Sequence, residues 1–291
     1  MENYQIVDSD VGLGACLIAG GNWDTSLLDV IRKNNVKHLR LSSSMGWEDN
    51  DVHFLRDLKG YGLKGVEIYS WENTDLSPLD ALLDLSFIGV EVNLKQELDL
   101  SVFEQLRTLK ARWSKNIINI HLCAAMESLN IVNYPFEDLT VLKDLRRLRS
   151  LAITSNKLKR LEGMAPLKHL KAIDFFSCVQ LEDVEELGVS RALEEITMEK
   201  CRKISVLPDL SKLEGVRKIS LNDCGAIESL KALKNCKMLE NLFFLGDTNV
   251  LDGELSFLEK MPSLKECWFA NRRHYTVTRE TLPVNSRTST L

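Results

Sequence analysis

Five histidines, seven cysteines and one short glycine pair are the residues of this chain best suited to chemistry, and their spacing argues against most of it. His38, His53, His121, His169 and His274 are scattered over the whole length and suggest no catalytic triad. No Cys-x-x-Cys pair and no His-Glu-x-x-His occurs, so a zinc site has no support and no metal is expected. Gly12-Leu13-Gly14 has the beginning of a dinucleotide-binding loop, but Leu17 stands where the third glycine belongs and no second half of a nucleotide fold follows. No cofactor is expected, and the chain is read as a non-enzyme. Arg146-Arg147 with Arg149, and Arg272-Arg273-His274, are separate basic clusters without the interleaved aromatics of a nucleic-acid stripe. The cysteines at 178, 201 and 224 are different, because they recur at a constant interval.

That interval belongs to a frame that runs through most of the sequence. Leu148-x-x-Leu151-x-Ile153-x-x-Asn156 is followed by Leu170-x-x-Ile173-x-Phe175-x-x-Cys178. Then come Leu193-x-x-Ile196-x-Met198-x-x-Cys201, Val216-x-x-Ile219-x-Leu221-x-x-Cys224 and Leu239-x-x-Leu242-x-Phe244-x-x-Asp247. Earlier frames begin at Leu13, Val36, Leu63, Leu85, Leu106 and Met126, and one more begins at Leu264. Twelve starts result, spaced by 23, 27, 22, 21, 20, 22, 22, 23, 23, 23 and 25 residues. The frames at Leu13 and Leu106 keep the spacing but lose the Leu and Asn residues.

This pattern resembles the leucine-rich repeat family, whose unit is Leu-x-x-Leu-x-Leu-x-x-Asn/Cys-x-Leu. The resemblance implies an α/β right-handed solenoid, a curved arc with a parallel sheet on its concave face and short helices or 3₁₀ turns on its convex face. In each unit a short strand turns its first, fourth and sixth residues inward, and a return segment closes the wedge. The family's ninth residue sits inside: Asn93 and Asn156 match its Asn form, and Cys178, Cys201 and Cys224 its Cys form. Stacked about 4.8 Å apart, these cysteines fit either a redox ladder or three small buried side chains. Residues 1–35 read as an N-terminal cap with a degenerate first repeat, 36–273 as the solenoid, and 274–291 as a C-terminal cap with a frayed tail. Helical spacing marks the returns at 138–145 and 225–233, N-cap residues open one at 24–32, and a helix is expected at about 51–59.

Composition adds a compartment. A 44% hydrophobic and 27% charged chain with net charge −5 is packed and has no bulk attraction for nucleic acid or anionic membrane. Acids at Glu2, Asp8 and Asp10 leave no readable export signal, and the weakly polar run 11–21 is about half a bilayer span. Seven scattered thiols suit a reducing cytoplasm.

In this family partners dock on the concave sheet. Its outward positions near the C-terminal end carry Phe176, Phe243, Leu245 and Trp268, bordered by Asp174, Glu195, Glu199, Lys218 and Asn222. Apolar anchors with a charged rim are the composition of a protein interface. The same aromatics would also suit a covering by the folded-back tail. A second candidate is the long loop carrying Met45 and Trp47, although Trp47 could equally pack under its own helix. The expected function is non-catalytic protein binding by a monomer, similar to bacterial leucine-rich repeat immunity proteins that neutralise a toxin by steric occlusion. The alternative is a regulatory or scaffold subunit of a phosphatase-like or other signalling enzyme.

Overall fold

The computed structural model describes residues 3–49 and 51–282, and the chain divides into two compact units, Met1–Ile131 and Val132–Leu291. Residues 283–291 of the expected tail lie outside the described residues. In the first unit the strands are β1 (Tyr4–Asp8), β2 (Ala15–Ala19), β3 (His38–Ser42), β4 (Gly65–Thr74), β5 (Phe87–Leu94), β6 (Thr108–Arg112) and β7 (Ser128–Val132). In the second they are β8 (Ser150–Thr154), β9 (Ala172–Phe176), β10 (Glu195–Glu199), β11 (Lys218–Asn222), β12 (Asn241–Phe244) and β13 (Glu266–Phe269). Within each unit consecutive strands are sheet neighbours. All the recorded pairings are parallel except β1 with β2, which is antiparallel.

Each strand from β2 to β13 begins two residues after a frame start, so the repeat sets where strands form. It also sets their register. Ala172, Glu195, Lys218, Asn241 and Glu266 pair in one row across β9 to β13, and His38, Gly65, Phe87 and Thr108 do so across β3 to β6. The fourth and sixth residues of every frame from Val36 onward point inward and are at most 4% exposed. Because side chains alternate, a one-residue slip would turn this whole set to solvent, and burial pins the register. The first frame departs from it: Leu17, not Cys16, lies opposite Leu39. Cys16, Leu17, Ile18 and Ala19 are all buried, so no alternation fixes the register there.

The returns take mainly the 3₁₀ form of the two that the resemblance implies. Among the described residues α1 (Leu27–Lys33) is the single α-helix, and the other helical returns are 3₁₀ turns of three to six residues. The expected helix at 51–59 is the 3₁₀ turn His53–Leu58. Within 225–233, Ala226–Ile227 pairs as a two-residue strand with Asn249–Val250, and a 3₁₀ turn follows at Lys231–Asn235. A coil of 20–23 residues has little chain left after its strand, and 3₁₀ geometry covers about 2.0 Å per residue against 1.5 Å for an α-helix.

A left-handed residue at the eighth frame position turns the ninth inward. Asn133, Ser177, Lys200 and Asp223 have φ of 61°, 51°, 57° and 53°, and Tyr134, Cys178, Cys201 and Cys224 behind them are fully buried. The thiols of Cys178, Cys201 and Cys224 lie 3.5, 3.4 and 3.3 Å from the carbonyl oxygens of Ile153, Phe175 and Met198 on the preceding strand, each placed to donate to it. Coil thus joins coil through a weak S–H donor, and the ladder holds free thiols. Asn93 and Asn156 both depart from the expected interior position: each is exposed and neither follows a left-handed residue. Asn93 still joins its coil to the one before, its Nδ2 donating to the Trp71 carbonyl at 3.0 Å, whereas in the coil of Asn156 it is Ser155 that is buried, donating to the Tyr134 carbonyl at 2.7 Å.

The β1–β2 turn folds over the outward side of β3 and β4. His38 and Glu67 are outward residues, yet they are 0% and 1% exposed. Ser9 Oγ lies 3.0 Å from His38 Nδ1, and His38 Nε2 lies 3.1 Å from Glu67 Oε2. Arg40 donates to Glu67 and, at 2.8 Å, to Asp10, while Tyr69 donates to Glu67 at 2.7 Å. Glycine leaves room for this cover at two places: a Cβ on Gly65 would come within 2.5 Å of the Leu13 side chain and force it to shift, and one on Gly89 would come within 2.7 Å of Glu67 and 2.8 Å of the Tyr69 hydroxyl. Burial alone would raise the Glu67 pKa, but the contacts with His38, Tyr69 and Arg40 hold it down at about 2.

Two outcomes follow from these buried groups. An acid whose folded pKa is depressed stabilises the fold above its unfolded pKa, so stability contributed by Glu67 is present above about pH 4.5 and is lost as the pH falls toward about 2. Glu67→Gln should cost about 3 kcal/mol at neutral pH in a denaturant titration, because Arg40 loses its buried partner, and should flatten that acid limb. Burial also pushes the thiols of Cys16, Cys123 and Cys236 up to about 11 and those of Cys224 and Cys267 up to about 12. An aromatic disulfide reagent at pH 8 should therefore react negligibly with the native protein and titrate seven thiols after denaturation.

Candidate functional site

On the second unit the outward residues form rows across the strands. Asp174, Thr197, Ser220, Phe243 and Trp268 make one row, and Phe176, Glu199 and Asn222 begin the next. Leu245 continues that second row, its amide donating to Asn222 Oδ1 at 2.9 Å. Phe243, Leu245 and Trp268 are therefore brought together, whereas Phe176 stands three strands away, about 14 Å at the usual strand spacing. Phe176 is 39% exposed, Leu245 39% and Trp268 37%, and Phe243 is half-buried between its neighbours. Glu195 faces Lys218 at 4.0 Å, a loose surface pair.

Asp174 lies in an unfavourable setting. Partial desolvation raises its pKa, Glu199 adds to this, and Lys218 offsets only part of it.

The chain's own cations already cover two of these rings. Lys200 Nζ sits 4.6 Å from the centre of Phe176, and the Arg279 guanidinium 5.2 Å from that of Trp268. Arg279 is positioned by Asn271, whose Oδ1 accepts from its amide at 2.8 Å and whose Nδ2 donates to Glu280 at 2.7 Å. The segment after Arg273 thus reaches Trp268, with Tyr275 against Phe244 and Phe269 on the buried side.

The loop candidate separates into two unlike residues. Met45 is exposed and lines a groove of about 630 Å³ with Tyr4, Ile18 and Glu48. Trp47 is 3% exposed, bridges to Gly21 and packs its ring 5.9 Å from that of Phe54, which itself stacks on Trp23 at 3.7 Å. Buried against its own 3₁₀ turn, Trp47 has no free ring face to offer a partner.

Among the described residues, sequence reasoning passed over the most exposed of the large apolar side chains. Trp71 is 81% exposed at a register shift of β4 between Tyr69 and Asn73. Its frame position is the ninth, which the repeat assigns to the interior. A regular coil buries the smaller Tyr134 ring at this same position, whereas at Trp71 the register shift of the strand carries the bulkier indole outward. An aromatic at a ninth position within an extended coil was the available signal.

Among the described residues the one trio of ligand-type side chains within 4.8 Å is Asp10, His38 and Glu67. The Arg40 guanidinium already sits on both of its carboxylates, which makes it an ion-pair network and a poor cation site. No described helix is long and apolar enough to cross a membrane.

No family model matches the chain. Among curated proteins it is similar to the disease resistance protein RPP4 of Arabidopsis thaliana, 28% identical over 140 residues, which is 47% of this chain and 12% of that protein. It is also similar to a putative adenylate cyclase regulatory protein of Trypanosoma equiperdum, 27% identical over 138 residues, 47% of this chain and 21% of that protein. The matches therefore span a minor part of both relatives. Among solved structures the leucine-rich repeat domain of the type III effector XopL aligns with a TM-score of 0.54 at 17% identity, over 75% of this chain and 80% of that one. An internalin of Listeria monocytogenes aligns with a TM-score of 0.44 at 18% identity, over 86% and 85%. The repeat-fixed register, the inward ninth residues and the likeness to the effector domain give one conclusion: this chain has the leucine-rich repeat fold.

Proposed function

We propose that this chain is a non-catalytic protein-binding module whose main contact is the outward sheet face of the second unit. The observation that carries this reading is the cluster of Phe243, Leu245 and Trp268 on that face, with Phe176 across a polar stretch. A solvated sheet gains nothing from such residues, and burying them against a partner supplies anchors of the kind that dominate interfaces. Asp174, Glu195 and Glu199 give the rim an acidic bias that suits a basic partner and would speed association. In its sharper form the module is a cytoplasmic bacterial immunity protein that covers the active site of a cognate toxin. Enzyme regulation is the second reading, favoured by the likeness to the adenylate cyclase regulatory protein of the trypanosome.

The test is binding and inhibition measured on the same partner. Phe243→Ala combined with Leu245→Ala should weaken the complex by about 1000-fold, because the two anchors are each worth about 2 kcal/mol, while the melting temperature changes little. Retained affinity with a collapsed melting temperature would mean that these residues serve the fold alone. Occlusion predicts loss of the partner's activity in proportion to complex formed, whereas a regulatory subunit would leave a partner with altered but measurable activity. Asp174→Asn should raise the melting temperature slightly, since it removes a disfavoured charge, and should still weaken binding.

A further inference from the structure

We propose that the cleft beside Trp71 in the first unit is a recognition notch for an arginine side chain projecting from a protein partner. This rests on the protein-binding reading above and names the chemistry of a second contact.

Among the described residues, Tyr61 lies under Arg32, Phe87 under Lys110, Phe176 under Lys200, Phe257 under Lys234 and Trp268 under Arg279, each ring carrying one of the chain's own cations. Trp71, the most exposed of the large apolar side chains, has neither a cation nor a ring against it among the described residues. Indole is the best of the aromatic faces for a cation. Its backbone is nevertheless held in place: Asn93 Nδ2 donates to the Trp71 carbonyl at 3.0 Å, and the next amide, Glu72 N, donates to Ser70 Oγ at 3.2 Å. A fixed main chain carrying a free ring is a pre-organised anchor, which lowers the ordering cost of binding.

A cavity of about 80 Å³ opens beside the ring, lined by Ser42, Ser43, Ser44, Tyr69, Ser70 and Glu91 with Trp71. That volume is about half of the 150 Å³ cavity known to hold a benzene ring, so an aromatic side chain is too large and a guanidinium head fits. The walls are acceptors. Arg112 engages Glu91 through Oε2 at 3.0 Å, leaving Oε1 to accept from a second donor. The serine hydroxyls add further acceptors for the planar fork of N–H groups. Charge favours the same occupant: residues 1–131 carry 19 Asp and Glu against 12 Lys and Arg. A guanidinium can stack on the indole while its edge donates to Glu91; an ammonium lacks the flat face to do both.

The notch can be read on the whole chain without any partner, which separates its failure from failure of the sheet-face reading. Tryptophan emission would be titrated with Nα-acetyl-arginine amide at fixed ionic strength, with the lysine and citrulline amides as controls. Saturable binding at about millimolar concentration is expected for arginine, lost in Trp71→Ala and weakened about tenfold in Glu91→Gln, both variants keeping the native circular dichroism spectrum. Trp71→Phe, followed by chemical-shift changes at the Ser70 and Asn93 amides, should retain weaker binding and checks that the emission signal comes from this ring. Equal response to citrulline, equal response to lysine, or an undiminished response in Trp71→Ala would each overturn the assignment. The Phe243 and Leu245 variants should bind the arginine amide as the parent chain does.

Discussion

No coil of this protein can bury its own apolar edge, and everything else follows from the need to stack. A strand of five residues offers two or three inward side chains, too few to repay the ordering of some twenty residues unless the next coil lies one strand spacing away. Register, turn geometry and the interior ninth residue all serve that spacing. Left-handed residues at Ser177, Lys200 and Asp223 are locally costly, and they persist because each turns a thiol toward the carbonyl of the coil before it.

Most of the strand positions were legible in the sequence because period and burial carry the same information. Frame starts lead every strand from β2 to β13 by two residues, and only the first coil, buried throughout β2 and so without alternation to guide it, slips by one. The returns are helical or 3₁₀ as expected, and the difference is local: apolar spacing at 225–233 satisfies a helix and equally a short strand followed by a 3₁₀ turn, and only the length of chain left to close the coil distinguishes them. Asn156 and Trp71 failed for one reason. The frame records which residue should face inward but not the turn dihedral or the side-chain volume that decides whether it can.

The two units use outward residues differently. On the first, the β1–β2 turn buries His38 and Glu67 and turns the outward face of β3 and β4 into a second small interior, with charges neutralised pair by pair. On the second, the outward face keeps apolar side chains at the surface, two of their rings under Lys200 and Arg279, beside an acid whose pKa is raised. Sequence patterning sees both as interrupted alternation. What separates them is Leu13 and Ser9, distant in sequence from the strands they cover.

Coils at Leu170, Leu193 and Val216 share the same length, the same register and a cysteine at the same place, each thiol meeting a carbonyl of the previous strand. Their joints are chemically equivalent. A genetic exchange that deleted or duplicated a block such as 178–200 would create no new type of contact, only one row fewer or more. This stretch can therefore change its span by whole coils without passing through a misfolded intermediate length, while the β1–β2 cover, whose ion pairs name individual partners, cannot. Variation in reach among descendants of this gene is expected to accumulate there first.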